Sequence, residues 1–117
     1  MRNFREYDIW KHAIEIAKEI YLLTEKFPTT EKYGLISQIQ RAAVSIGSNI
    51  AEGASRASEK EFSHFLQIAL GSAFEVETQL IIAQELAYLK PEDNEAMIEK
   101  LHTLQKQISF LVTKMKP

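Results

Sequence analysis

The stretch YGLISQIQRAAVSIGSNIAEG, residues 33–53, decides the fold. At 100° per residue, Leu35, Ile36, Ile39, Ala42, Ala43, Ile46 and Ile50 share one apolar sector, the pattern of a helix laid against a core. Gln38, Arg41, Ser45, Ser48, Asn49 and Glu52 share a second sector. A helix face turned to water is normally filled with lysine and glutamate. This one is built of serines and amides around one Arg and one Glu, which reads as a face at least partly buried.

On the C-terminal side, Gly53 is expected to stop this helix by taking the left-handed conformation. On the N-terminal side, Pro28 forces Phe27 out of the helical region, so the helix is expected over 30–52. Upstream, Trp10, Ala13, Ile14, Ala17, Ile20, Tyr21 and Thr24 recur at three- and four-residue steps, a first helix over 8–26 with Asp8 as its N-cap. Downstream, Ser58 and Glu61 form a capping box that opens a third helix over 58–89. Its seam, Phe62, Leu66, Ala69, Ala73, Val76, Leu80, Ala83 and Ala87, holds a 4-3-4-3 spacing. Pro91 ends it, and Met97, Leu101, Leu104, Ile108, Leu111 and Met115 form the seam of a fourth helix over 92–115. Four helices with short connections predict an all-α, antiparallel up-down-up-down four-helix bundle occupying 1–117 as one domain. Gly47 and Gly71 are expected to permit close helix approach.

The 117 residues contain no cysteine, which excludes disulfides, thiolate metal sites and a cysteine nucleophile, and fits a cytoplasmic location. The first residues lack a signal-peptide pattern, and no apolar run approaches the roughly 18 residues that span a bilayer, so no membrane association is expected. With 14 basic and 16 acidic side chains the formal charge is -2, giving no global attraction to nucleic acid or anionic lipid.

Chemistry is sparse. His12, His64 and His102 lie on three helices without the i, i+4 partners of a helical metal site. Glu61 with His64, and Glu99 with His102, have Glu-x-x-His spacing, but the two pairs fall toward opposite ends of an antiparallel bundle. Ser45, Ser48 and Ser72 have no evident base, and the four glycines form no phosphate loop. The expectation is no enzyme, no cofactor and no metal.

The surfaces say more. On the third helix Ile68, Ile82 and Leu86 lie opposite the seam, so the helix is apolar nearly all round, and a second copy of the chain is the expected cover. Arg41 and Glu75 are expected to pair in a partly buried polar network with Ser45, Asn49 and Ser72 that fixes helix register or subunit packing. An up-down bundle also collects Arg2, Arg5, Lys11, Arg56, Lys60, Lys114 and Lys116 at one end, a candidate surface for a phosphate backbone. Glu6, Asp8, Glu59 and Glu61 dilute it.

The segments at 33–35, 38–46, 49–53 and 68–75 (IALGSAFE in the last) resemble signature segments of the bacterial four-helix bundle proteins encoded in intervening sequences of 23S ribosomal RNA genes. The resemblance implies a bundle that assembles as a ring-like homopentamer. It also implies similarity in fold to the accessory variability protein of diversity-generating retroelements, which binds nucleic acid and a reverse transcriptase. Those nucleic-acid-binding relatives are markedly basic. The present chain is slightly acidic and has no Lys or Arg between Lys60 and Lys90. Two functional readings follow: an oligomeric accessory factor for RNA or DNA using the Arg56 and Lys60 rim, and a structural oligomer that docks another protein.

Overall fold

Each run of three- and four-residue spacing becomes a helix: α1 Asp8–Thr24, α2 Leu35–Ala54, α3 Glu59–Glu85 and α4 Pro91–Lys114, with single 3-10 turns at Phe4–Glu6 and Thr29–Glu31. The computed structural model describes residues 2–115, and no strand occurs among them. Each helix packs on its neighbours in the chain, α4 closes back on α1, and the diagonal pairs do not meet. That is the four-cornered, antiparallel bundle expected. Its long axis of 45 Å is set by α3, whose 27 residues rise about 40 Å.

The core is the two predicted seams meeting the apolar sector of α2 and a stripe of α1 made by Ile9, Ala13, Ile16, Ile20 and Thr24, which is turned from the expected one and leaves Ile14 and Tyr21 exposed. Ile20, Ile39, Ile46, Ile50, Phe62, Leu66, Leu80, Leu101, Leu104 and Ile108 are fully buried. Each contributes about 1.5–3 kcal/mol by leaving water. One feature runs against expectation: α3 is long and apolar enough to cross a bilayer by length and composition. The reason is that it carries the core seam and additional apolar residues outside it, and the seam is filled by its neighbours in the bundle.

The helix ends differ from the sequence reading in instructive ways. Tyr7, not Asp8, is the N-cap of α1, and Asp8 opens the helix, where its charge meets the positive end of the dipole. The chain after Pro28 makes only one 3-10 turn before Gly34, whose φ of -110° and ψ of -112° lie outside the helical region, so α2 begins at Leu35. The Glu31 carboxylate caps it, accepting from the Leu35 backbone N–H at 3.1 Å. At the other end, Gly53 is helical and buried, and Ser55 is the C-cap. Gly53 serves close packing instead. A Cβ there would lie 2.6 Å from Phe65 Cβ. Gly47 does sit against another helix, with Ile14 Cδ1 3.4 Å from where its Cβ would be, whereas Gly71 faces open space. At the start of α3, Ser58 Oγ accepts from the Glu61 N–H at 3.1 Å, but the Glu61 carboxylate takes the Ser58 hydroxyl, not its backbone N–H.

Pro91 does not end α3. The helix ends at Glu85, six residues before it, in a Schellman turn, with Tyr88 N–H donating to Ala83 O and Ala87 N–H to Gln84 O, both at 2.9 Å. Ala87 takes φ 63°, a conformation that favours glycine. Replacing Ala87 with Gly is therefore expected to raise stability by about 0.5–1 kcal/mol in urea unfolding. No change, or a loss, would mean the αL strain is absent.

Candidate assembly surface and basic end

Between α2 and α3 the structure builds part of the anticipated polar network. Ser45 Oγ and Ser72 Oγ share a hydrogen bond of 2.9 Å, and Asn49 Nδ2 donates to both the carbonyl and the hydroxyl of Ser45, at 2.8 and 2.9 Å. Either hydroxyl can be the donor in the Ser45–Ser72 bond, since the Ser45 oxygen has two lone pairs to accept with. Arg41 and Glu75 stand outside this knot. Both are exposed and form no ion pair with each other or with another described residue. The polar sector of α2 is thus covered only along its edge nearest α3, while Gln38, Arg41, Ser48 and Glu52 remain in water. Beside them Gln79 is buried, donates weakly to Glu75 at 3.5 Å, and leaves its Oε1 without a donor.

Ile68, Ile82 and Leu86 continue this edge along α3, with 40%, 43% and 50% of their surface exposed. They lie on one strip because residues 68, 75, 82 and 86 differ by whole heptads or a single turn. The sequence reading missed further exposed apolar residues. Phe74 and Ile81 stand on the α4 side of α3, one turn either side of Glu77, which bonds to α4. Ile14, Tyr21 and Val44 stand on the side where α1 meets α2. Phe74 and Ile81 are one heptad apart, as are Ile14 and Tyr21, but the sequence reading had placed the latter two in the apolar stripe of the first helix.

At the opposite corner, α1 and α4 are joined by polar pairs: Lys100 with Glu19, and His12 Nδ1 with Gln107 Oε1 at 2.8 Å. Between α3 and α4, the Glu77 carboxylate accepts from Gln105 at 2.9 Å and meets His102 Nε2 at 3.1 Å. Partial burial pushes this carboxyl up, but the hydrogen bonds from Gln105 and His102 and the His102 charge outweigh it and hold the group below its ordinary value. His64 packs edge-on against Phe65. No group of three or more His, Cys, Asp or Glu side chains close enough to hold a metal occurs among the described residues.

The basic end proves to be partly structural. Arg2 Nη1 donates to the carbonyl of Arg56 at 2.7 Å, and its guanidinium lies 4.7 Å over the Phe62 ring. Arg56 lies 4.8 Å over Phe65 and pairs with Glu52 at 3.1 Å. Both arginines therefore close the C-terminal end of α2, where cations oppose the helix dipole. Together with Ser55 and Ala57 they line one cleft. Arg5, Lys11 and Lys60 are exposed and free of ion pairs among the described residues, and Lys114 rests over Phe110. Lys116 lies outside the described residues.

The other end of the bundle, at the α3–α4 turn, holds a latch that composition did not reveal. Tyr88 donates its phenol to Glu31 Oε2 at 3.0 Å, tying the α3–α4 turn to the carboxylate that caps α2. That hydrogen bond, with some desolvation and the Glu31 charge, raises the Tyr88 pKa above the ordinary tyrosine value. A raised folded-state pKa means that the stabilisation is complete below the unfolded value and is lost as pH climbs through the folded one. Alkaline absorbance titration, read as the difference between wild type and Tyr88→Phe, is expected to show a late-titrating tyrosine. Glu31→Gln should return it to the ordinary range, and a Tyr88 that titrates normally in wild type would contradict the latch.

A four-cornered all-α bundle whose polar side chains close helix ends and seams defines the class of small four-helix bundle proteins. The chain belongs to the 23S rRNA-intervening sequence protein family, whose model matches residues 5–110. It is similar to a solved structure from Bacteroides thetaiotaomicron VPI-5482, a protein of unknown function from the S23 ribosomal protein family. The TM-score is 0.82 at 25% identity, covering 90% of this chain and 95% of that one. No protein of curated function matches.

Proposed function

We propose that the protein is a non-enzymatic, self-associating scaffold, a soluble bundle whose copies assemble into a closed oligomer and present a repeated surface to a partner. The observation that carries this reading is the strip of Ile68, Ile82 and Leu86, large apolar side chains left half in water beside a buried Gln79 oxygen that lacks a donor. Ile82 and Leu86 adjoin by one turn and Ile68 lies two heptads away past the exposed Glu75, and a second copy is the cover always at hand for such side chains. The family resemblance supports a pentamer, five chains of 13.4 kDa each. The expected result is a wild-type mass in light scattering that is a multiple of the chain. The double variant Ile82→Glu, Leu86→Glu should fall to a monomer with unchanged helicity, because both positions are exposed. A wild type that stays monomeric at high micromolar concentration would end the proposal.

A second reading rests on a different observation: Arg5, Lys11 and Lys60 form no ion pairs among the described residues and share one end of the bundle. In an oligomer with parallel subunits this end becomes a basic rim able to hold RNA or DNA phosphates. Binding to structured RNA that weakens steeply with salt, and is lost in Lys11→Glu, Lys60→Glu, would favour it. Absence of binding at low salt would leave protein docking as the role of the scaffold.

A further inference from the structure

We propose that the cleft between the N-terminal lead and the α2–α3 turn binds a phosphomonoester, whose dianionic head takes the guanidiniums of Arg2 and Arg56. The site needs neither assembly of the chain nor the rim of Arg5, Lys11 and Lys60. The cleft, of about 610 Å³, is lined by Arg2, Ser55, Arg56 and Ala57, which leaves room for a phosphate and for the group esterified to it.

Both guanidiniums are held by aromatic rings, which fixes them without spending their N–H groups. Arg2 lies 4.7 Å from the centre of the Phe62 ring, and Arg56 lies 4.8 Å from that of Phe65. Phe62 and Phe65 are one turn apart on α3, so the two cations are brought side by side. Each guanidinium carries five N–H donors. Arg2 spends Nη1 on the Arg56 carbonyl, and Arg56 spends Nη2 on Glu52. Arg56 Nε is enclosed and finds no acceptor among the described residues. An enclosed donor without a partner is rare in a folded chain, and an acceptor from outside satisfies it. The backbone N–H of Ala57, in the same cleft, also donates to no described residue.

Charge selects the ligand. Among the described residues Glu52 is the one carboxylate paired with either arginine, and that pair is exposed, so it holds weakly and is readily exchanged. Arg2 forms no ion pair among them. Two fixed cations against one carboxylate leave a surplus of positive charge, which a dianion offsets better than a monoanion does. The planar fork of a guanidinium also fits a phosphate through paired N–H···O bonds. The end of α2 offers little to repel such a group, because the carbonyls of Ala51, Glu52, Gly53 and Arg56 already accept hydrogen bonds. Glu59 and Glu61, on the first turn of α3, do not line the cleft.

Inorganic phosphate is the probe, followed by proton–nitrogen NMR of the full chain at physiological ionic strength, where distant charges are screened. The Arg2 and Arg56 Nε–H signals and the Ala57 amide should shift together and saturate, while sodium chloride at equal ionic strength leaves them in place. Arg2→Lys and Arg56→Lys keep the charge but lose the fork, and each should weaken phosphate binding several-fold with helicity unchanged. The double variant Lys11→Glu, Lys60→Glu should bind phosphate nearly as wild type does. Three results would each overturn the site: no saturable shift at high millimolar phosphate, equal shifts around Lys11 and Lys60, or lysine variants that bind as tightly as wild type. A nucleoside monophosphate and a short RNA with and without a terminal phosphate then separate the sources of the group. Tighter binding of the phosphorylated RNA than of the mononucleotide assigns the site to an RNA end, and equal or weaker binding assigns it to a free phosphomonoester. RNA binding that ignores the terminal phosphate, with no response to phosphate in the cleft, would place the contact on the basic rim and overturn the site.

Discussion

Replacing Phe62 with alanine is expected to lower the stability of the bundle by about 3–5 kcal/mol, a large part of the 5–15 kcal/mol that holds a typical domain together. The side chain is fully buried at the end of the α3 seam. It is also the platform for the N-terminal lead, because Tyr7 meets its ring edge-on at 5.7 Å and the Arg2 guanidinium lies over its face. Alanine therefore leaves a cavity and at the same time removes the aromatic and cationic contacts that hold residues 2–7 against the bundle, each of which adds about 0.5–1.5 kcal/mol. Urea unfolding should show a midpoint shifted down with little change in slope. Hydrogen exchange should show the 3-10 turn Phe4–Glu6 opening first. A loss below about 1.5 kcal/mol would mean that the site collapses around the smaller side chain and that Phe62 is not the keystone of this end.

The bundle was legible because its information is periodic. The 4-3-4-3 seams of α3 and α4 and the apolar sector of α2 each specify a buried stripe, and the short connections leave the antiparallel arrangement as the economical one. The helix ends were less legible, for physical reasons particular to each. Gly53 looked like a helix stop, since a glycine after an apolar run has two uses, backbone freedom and absence of a side chain. Only the approach of Phe65 on another helix distinguishes them. Ala87, which has no preference for positive φ, takes the turn instead. The start of α2 depends on a Glu31 carboxylate that reaches both Leu35 and Tyr88, the latter 57 residues away. Of the network proposed around Arg41, the short side chains of Ser45, Asn49 and Ser72 meet because the α2–α3 seam itself brings them together. Arg41 and Glu75 are long and solvated, and nothing in one chain draws them from water. The surfaces were half legible: the strip of Ile68, Ile82 and Leu86 follows from α3 alone, while the exposure of Ile14, Tyr21, Phe74 and Ile81 depends on how α1 and α3 are turned in the bundle.

The same substitution at two glycines of the bundle is expected to act with opposite sign. Gly71 lies on the exposed side of α3 with nothing within 4 Å of a built Cβ, so Gly71→Ala gains about 0.5–1 kcal/mol from the helix preference of alanine. Gly53→Ala gains the same preference but places its Cβ 2.6 Å from Phe65 Cβ, 3.0 Å from Phe62 Cδ1 and 3.3 Å from Phe62 O. A ring can turn aside, but Phe65 Cβ is fixed to the backbone of α3 and the Phe62 carbonyl is backbone itself. The relief must come from moving α2 and α3 apart, in the helix pair that shares the most extensive contact of the bundle. Overpacking of this kind costs about 1–3 kcal/mol for one methyl group and more for a larger side chain, so Gly53→Ala should lose stability on balance and Gly53→Leu should lose more than about 3 kcal/mol. Separation of α2 from α3 also stretches the Ser45–Ser72 hydrogen bond, which adds to the loss when those hydroxyls are left without partners. Paired urea titrations of the two alanine variants test this directly. Equal and favourable shifts would show that the helices part without strain and that Gly53 is not what sets their distance.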